Sequence, residues 1–423
     1  MIIPSIDLEK GRTVQLVGGE DRALDAGTPM PILKRFRLAG EVAVVDLDAA
    51  KGEGCNAALI RELCAEARVR VGGGIRDLET ALAWLNAGAA KIVMGTAANE
   101  GWLDQLPRER VIVALDARDG DVVTHGWRQS TGCTVLQRMA ELRDSCSGFF
   151  VTFVECEGRL GGTRMDLVEA LVEAASPAKV TIAGGVTTAA EIAELDRLGA
   201  DAQVGMALYT GRLSLAQAIV APLTSDRADG FWPTVVADER GTALGLVYSS
   251  ARSMEAAVEE QMGVYESRRR GLWVKGESSG CTQELLAVDL DCDRTNLRFT
   301  VRQAGSGFCH METHTCWGED RGLARLQARL IERLQSGPEL SNTVRLAADS
   351  ELLRSKLIEE AGELAEANSP SAIRHEAADL LYFALVKAST AGIPLSEIET
   401  ELDRRELFIT RRACEAKDSS CPA

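Results

Sequence analysis

The sequence predicts an α/β barrel, followed by a small α+β domain and an all-α helical bundle. Three observations predict it. Residues 1–222 alternate short β-branched runs with amphipathic stretches. Residues 228–320 are rich in strand-like runs and poor in helical ones, and from Arg321 onward apolar residues recur at three and four positions. A chain of 423 residues is also too long for one hydrophobic core.

The first segment supplies eight strand candidates: IIPSID (2–7), VAVVDL (42–47), VRVGG (69–73), KIVMG (91–95), VIVALD (111–116), FFVTFV (149–154), KVTIAGG (179–185) and DAQVG (201–205). Eight strands, each followed by a helical pattern, are what a TIM-like barrel needs. The segment also repeats: the stretch 71–97 resembles 182–207, offset by about half a barrel. TSDRADGFWP (224–233) reads as a linker. The second segment offers TVVADE, LGLVYSS, VYESRRR, LWVKGE, LLAVDLD and LRFTVRQAG as strands. The third, 321–411, offers four long helical patterns, and 412–423 reads as a frayed tail.

Composition narrows the function. Apolar content of 46% and charged content of 26% are those of an ordinary globular protein. A net charge of −16 argues against a nucleic-acid or acidic-membrane surface, but not against phosphorylated small molecules. No apolar run is long enough to span a bilayer, and the charges at Asp7, Glu9 and Lys10 do not suit a signal peptide. Eleven scattered cysteines without secretory features suggest reduced thiols in a cytoplasm.

The sharpest chemical signal lies in the middle segment. LDCDRTN, read as strand, places Asp291 and Asp293 on one face and Cys292 on the other. GFCHMETHTCW adds Cys309, His310 and Cys316. Three thiolates with a free fourth position make a zinc site that can activate water; buried cysteines of a reduced protein are the plainer alternative. WVKGESSGCTQ, DLDCD and FCHMETHTC resemble phosphoribosyl-AMP cyclohydrolase. That resemblance implies that Cys292, Cys309 and Cys316 hold zinc, with ligands often drawn from two subunits and hence a homodimer paired through this domain. It further implies that Asp291 and Asp293 bind magnesium and that His310 transfers protons. Ser267, Arg268 and Arg270 stand at the family's Ser-Arg-x-Arg segment, where they would hold phosphate or, more plainly, form a solvated basic edge. Thr295 replaces the family's third aspartate and Cys281 its usual asparagine.

In the helical segment Glu359, Glu360 and Glu363 share a helix face by spacing, and Glu376 and Asp379 repeat the device on the next helix. Facing carboxylates repel unless a cation sits between them, which points to magnesium; a solvated acidic face is the alternative. The pattern Glu-Glu-x-x-Glu…Glu-x-x-Asp, set in LIEEAGELAEA and EAADLLYFAL, resembles phosphoribosyl-ATP pyrophosphohydrolase, with Lys356 placed to meet substrate phosphate.

The first segment resembles the histidine-pathway ribonucleotide isomerase through IPSIDLEKGRTVQLVGG, VVDLDAAKG, VGGGIRD, ALDARDGDVVTHGW and GMALYTGR. The resemblance makes Asp7 the base and Glu157 the acid, where the family has aspartate. Arg159 stands at the family's threonine and Met206 at a phosphate-binding arginine. Gly72, Gly73, Gly74, Gly184, Gly185 and Gly205 are phosphate-loop candidates, or simply allow tight turns. The order of segments also resembles the front of the fungal multifunctional histidine enzymes, closest in LGLVYSS, FCHMET and DLLYFAL; no dehydrogenase segment is expected. The expected function is hydrolysis of phosphoribosyl-ATP, then ring opening of phosphoribosyl-AMP, with isomerisation of that product by the barrel. The alternatives are the same hydrolases beside an inert barrel, a nucleotide-binding regulatory protein, and a housecleaning nucleotide pyrophosphatase.

Overall fold

The structure, a computed structural model, describes residues 1–409 except 20, 96–97, 99–100, 125–126, 128, 268 and 339–340. The expected tail 412–423 and Arg268 therefore lie outside the described residues.

The apolar runs of the first segment close into a ring of eight parallel strands: Ile2–Glu9, Val42–Asp46, Val69–Gly72, Lys91–Met94, Val111–Arg118, Gly148–Phe153, Lys179–Ala183 and Ala200–Val204. The first strand pairs with both the second and the eighth, and the fifth pairs with the sixth, which leaves no edge in the ring. Their inward and outward faces are both covered, so Ile6, Leu8, Val44, Val71, Ile92, Val151 and Ile182 are all fully buried. Buried Arg70 on the third strand reaches Thr181 on the seventh at 3.2 Å and pairs with Glu41 at 2.5 Å.

The internal repeat is structural. Gly73 and Gly74 follow the third strand at φ of 95° and 72°, and Gly184 and Gly185 follow the seventh at 87° and 85°. Each pair turns the chain into a capped helix, Leu78–Asn86 behind Asp77 and Ala189–Arg197 behind Thr188. A Cβ at Gly185 would collide with the carbonyl oxygen of Gly162, so this glycine is required by close packing as well as by φ. Two antiparallel additions are not apparent as strands in the sequence: Arg12–Val17 with Asp21–Gly27 on the first strand, and Asp121–Thr124 with Gln129–Thr134 on the fifth.

The middle segment forms a six-stranded sheet in which Gln283–Leu290 and Leu297–Gln303 are antiparallel neighbours. The strand ends at Leu290, and residues 291–296 form a turn. This corrects the expectation that alternation along a strand separates Asp291 and Asp293 from Cys292. The stretch 224–231 has no helix or strand but is tied down, with Thr224 N–H donating to Arg294 O at 2.8 Å.

The chain divides into two compact units. One comprises Met1–Ala237, Leu246–Gly305 and the described residues from Leu407; the other comprises Asp238–Gly245 and the described residues of Ser306–Glu406. Within the first, Arg110 donates to Leu407 O at 2.8 Å, so the described end of the chain returns to the barrel. The second contains helices Gly322–Ser336, Asn342–Ala348, Ser350–Glu366, Pro370–Thr390 and Leu395–Glu406. Leu330, Leu346, Leu353, Leu385, Val386 and Leu395 form its core. The short helix Asn342–Ala348 goes beyond the four helices expected. Among the described residues no single helix is long and apolar enough to cross a membrane.

Candidate functional sites

A parallel barrel brings the C-terminal ends of all its strands to one mouth. Asp7 lies on the first strand, and Glu157 lies in the turn after the sixth. Burial pushes the Asp7 carboxyl up to about 7, against a hydrogen bond from Gln15 Nε2 at 3.1 Å. Burial also pushes Glu157 up to about 7, helped by the negative charges of Asp7 and Asp116. Asp116 is a third carboxyl that the sequence reading did not single out. It ends the run VIVALD and lies near the C-terminal end of the fifth strand, Val111–Arg118, which is the signal the sequence offers. Burial raises it too, opposed by hydrogen bonds with Trp127 and Thr152. A cavity of about 440 Å³ opens beside Asp116, lined also by Val123, Thr131, Cys133 and Arg138.

The glycine candidates surround this mouth. A Cβ on Gly184 would come within 3.3 Å of Glu157 Oε2, and one on Gly205 would press on Gln15 and Ser5 at 2.5 and 2.7 Å. Gly74 would meet Ala49 in the same way, at 2.6 Å. At Gly74 and Gly184 positive φ and nearby backbone atoms demand glycine whatever is bound, whereas at Gly205 the close atoms are side-chain ends of Gln15 and Ser5. Met206 begins a four-residue helix, and Arg159 is exposed.

In the sheet of the first unit, Ser267 ends the strand Val264–Ser267, and its hydroxyl accepts the backbone N–H groups of Arg269 and Arg270 at 3.4 and 3.3 Å. A cavity of about 590 Å³ is lined by Ser267, Arg269, Arg270, Trp273 and Tyr248, with Glu266 the acidic side chain among them. Arg270 stands 6.0 Å from the centre of the Trp273 ring. Arg269 is an addition to the residues expected here.

The turn 291–296 gathers the second set. Asp291 accepts the backbone N–H groups of Thr295 and Asn296 at 2.8 and 3.0 Å. Partial burial works against its charge, but the bonds from Asn296 and Thr295 prevail and hold its carboxyl down to about 2. Thr295, which stands where a third aspartate was expected, bonds through its hydroxyl to Asp293 at 2.9 Å and Asp291 at 3.4 Å. Cys292 between them is exposed.

Cys309 and Cys316 belong to the second unit, in a hairpin closed by Phe308 N–H to His314 O at 3.0 Å and Cys309 N–H to Thr313 O at 3.2 Å. The N–H of Met311 donates to Cys309 Sγ at 3.5 Å; this bond, then those of Thr313 and Cys316, lowers the thiol's pKa. A thiol stabilised as thiolate beside a second cysteine is a donor set suited to zinc. His310 is exposed, its Nδ1 4.0 Å from Cys309 Sγ. The hairpin also gathers Asp238, His314 and Asp320, with ligand atoms within 4.8 Å of one another. Arg240 already bonds both carboxylates, at 2.7 Å each, so a cation is in place there.

Among the helices, Glu360, Glu363 and Glu376 bring carboxylate oxygens within 4.8 Å of one another. Glu360 is buried, and the hydrogen bond with Glu376 raises the Glu363 carboxyl. Such crowding suits a divalent cation. Glu359 and Asp379 are not in this group. Glu359 pairs with Lys356 at 2.7 Å, and Asp379 lies 3.5 Å from His375 Nε2. Lys356 also reaches Glu360 at 3.5 Å.

The raised carboxyls of the barrel have a measurable consequence. Asp7 and Glu157 bind protons more tightly folded than unfolded, so the stability they contribute is full below about pH 4 and is lost as pH rises toward about 7. The denaturation midpoint of the barrel, followed by hydrogen exchange of its strands, should fall from pH 5 to pH 8. Asp7→Asn should flatten that fall. A slope left unchanged by the substitution would contradict the assigned burial.

Comparison with known proteins adds to the geometry. Residues 1–214 match the family model described as histidine biosynthesis protein, residues 245–318 that of phosphoribosyl-AMP cyclohydrolase, and residues 323–406 that of phosphoribosyl-ATP pyrophosphohydrolase. The chain is similar to the histidine biosynthesis trifunctional protein of Neurospora crassa, at 50% identity over 49% of this chain and 24% of that protein. It is similar to the histidine biosynthesis bifunctional protein of Schizosaccharomyces pombe, at 46% identity over 49% of each chain. It thus spans about a quarter of the trifunctional relative and about half of the bifunctional one. An isomerase of a bis-phosphoribosyl imidazole-4-carboxamide, from Methanosphaerula palustris, is 37% identical over 52% of this chain and 98% of its own length. With the first family model covering just over half of its residues, the chain belongs to the histidine biosynthesis protein family.

Proposed function

We propose that the chain hydrolyses phosphoribosyl-ATP to phosphoribosyl-AMP and pyrophosphate in its helical segment and opens the adenine ring of phosphoribosyl-AMP in its middle segment. The observation that carries this reading is the match between chemistry and segment. Cys309 and Cys316 fall within 245–318, and Glu360, Glu363 and Glu376 within 323–406. Each family reaction needs the groups its segment holds. The domain limits we adopt are 1–222, 228–320 and 321–411.

For ring opening, Cys292, Cys309 and Cys316 would hold zinc, the third thiolate coming from the same chain or a second copy in a homodimer paired through this domain. Zinc, when bound, supplies Lewis acidity that activates water at neutral pH. His310 would move the proton, Asp291 and Asp293 would hold magnesium, and Ser267, Arg268 and Arg270 would bind phosphate. For pyrophosphate release, Glu360, Glu363 and Glu376 would form the centre of a magnesium site, with Glu359 and Asp379 turning toward it when the cation displaces their present partners. Magnesium there supplies charge neutralisation at the α–β phosphate linkage. Lys356 would meet substrate phosphate. A cytoplasmic setting fits these substrates and the eleven scattered cysteines.

We infer that the barrel isomerises the ring-opened product, with Gly74, Gly185 and Gly205 lining its phosphate loops. At neutral pH two carboxyls that titrate near 7 can serve one as base and one as acid. Asp7 would abstract the proton and Glu157 would return one, while Asp116 keeps the Glu157 proton in place by its charge.

Two sets of variants test these assignments. Cys309→Ala should abolish ring opening while pyrophosphate release continues. Glu360→Gln should lower pyrophosphate release about 100-fold or more while supplied phosphoribosyl-AMP is still opened. Loss of both activities together in either variant would contradict separate sites. In the barrel, Asp7→Asn should cost about 10²- to 10⁴-fold in isomerisation, and Glu157→Asp should preserve or raise it. No isomerisation by either the wild type or Glu157→Asp would leave the barrel without catalytic function.

A further inference from the structure

We propose that the barrel is the positioning frame of the turn 291–296, and that its residue Asp196 fixes this turn through Arg294. The link to ring opening rests on the functional reading above; the coupling itself rests on contacts within one compact unit.

The turn contains a residue in an unfavourable conformation. Arg294 has φ of 60°, which a residue with a side chain adopts at a cost. Three contacts hold it there. Its Nε and Nη2 donate to the two oxygens of Asp196 at 2.8 and 2.9 Å, a fork-to-fork pair. Its Nη1 donates back to Asp291 O at 2.7 Å, and its own carbonyl accepts the N–H of Thr224 at 2.8 Å. One side chain thus binds the barrel at one end and the first residue of the turn at the other.

Asp196 is set up for such a partner. It lies in the last turn of the helix Ala189–Arg197, where the helix dipole disfavours a negative charge. Its side chain is only 12% exposed, and the cations that meet it are Arg294 and the N-terminal amine, which lies 3.0 Å from Oδ1. Burial opposes its ionised form, yet the bonds from Arg294 and that amine keep its carboxyl below the usual range. A second tie joins the same two segments: Ser214, the cap of helix Leu215–Val220, donates to Glu255 of helix Ala251–Glu260 at 2.7 Å.

The consequence concerns the three side chains just before Arg294. Asp291, Cys292 and Asp293 are the groups assigned above to metals, and with Arg294 clamped Cys292 and Asp293 are left exposed rather than folded inward. Removing a partner that orients metal ligands typically costs about 10- to 100-fold in metal affinity. A barrel with little isomerase activity would still be needed for ring opening.

The test uses the full chain with zinc chloride as the only ligand, titrated against a chromophoric chelator. Hydrogen exchange of residues 291–296 is followed alongside. Asp196→Asn should weaken zinc binding about 10- to 100-fold and speed exchange at Thr295 and Asn296, with pyrophosphate release within about twofold of wild type. Arg294→Gln should do the same, and the double variant should be no worse than Arg294→Gln alone. Asp196→Glu should recover most of the loss. Asp201→Asn is the control for general loosening, because Asp201 binds the same N-terminal amine at 2.8 Å. It should leave zinc binding unchanged. The proposal is overturned if Asp196→Asn keeps both zinc affinity and amide protection, if the single losses multiply in the double variant, or if Asp201→Asn weakens zinc equally. A wild-type chain that binds zinc but opens no ring overturns the functional reading alone.

Discussion

Carboxylates confined near one another in partly dry surroundings are the constraint on which the arrangement of this protein turns. Like charges at close range must either take up a proton or be offset by a fixed cation, hydrogen-bond donors or a metal. The barrel mouth answers with protons, since burial lifts Asp7 to about 7, and burial helped by the charges of Asp7 and Asp116 lifts Glu157 to about 7. The hairpin answers with Arg240 between Asp238 and Asp320. The turn at Asp291 answers with backbone N–H groups and a neighbouring hydroxyl. Among the helices, Lys356 covers one edge, and Glu360, Glu363 and Glu376 share what remains. These solutions correspond to different chemistry: protons suit acid–base work, and an incompletely met negative charge suits a metal.

Much of the fold was legible because the barrel strands are short, β-branched and bounded by glycine, so each run announces both its start and its turn. The repeat carried further information, since its two glycine pairs adopt nearly the same positive φ half a barrel apart. Strand alternation does not extend to Asp291, because hydrogen bonds from Thr295 and Asn296 to the Asp291 side chain form a turn after Leu290. The hairpins on the first and fifth strands were missed because polar stretches such as DRALDAG and QSTGCT lack a buried face to pattern them.

The sites were legible by residue type and less so by grouping. Helical spacing puts five acids near two facing helix surfaces, but only the packing shows which three converge and that Glu359 is engaged by Lys356. Asp116 was hidden in an apolar run, where one acid reads as strand end. Arg294 carries no signature at all in sequence. Its importance comes from a positive φ and a partner 98 residues away.

The central claim is that one chain carries two successive hydrolyses. The most direct measurement supplies phosphoribosyl-ATP, zinc and magnesium to the purified wild-type chain and identifies every product by mass spectrometry over time. The account predicts pyrophosphate, a transient phosphoribosyl-AMP and then the ring-opened formimino product. Accumulation of phosphoribosyl-AMP without ring opening, or hydrolysis of ordinary nucleoside triphosphates in preference to phosphoribosyl-ATP, would contradict it.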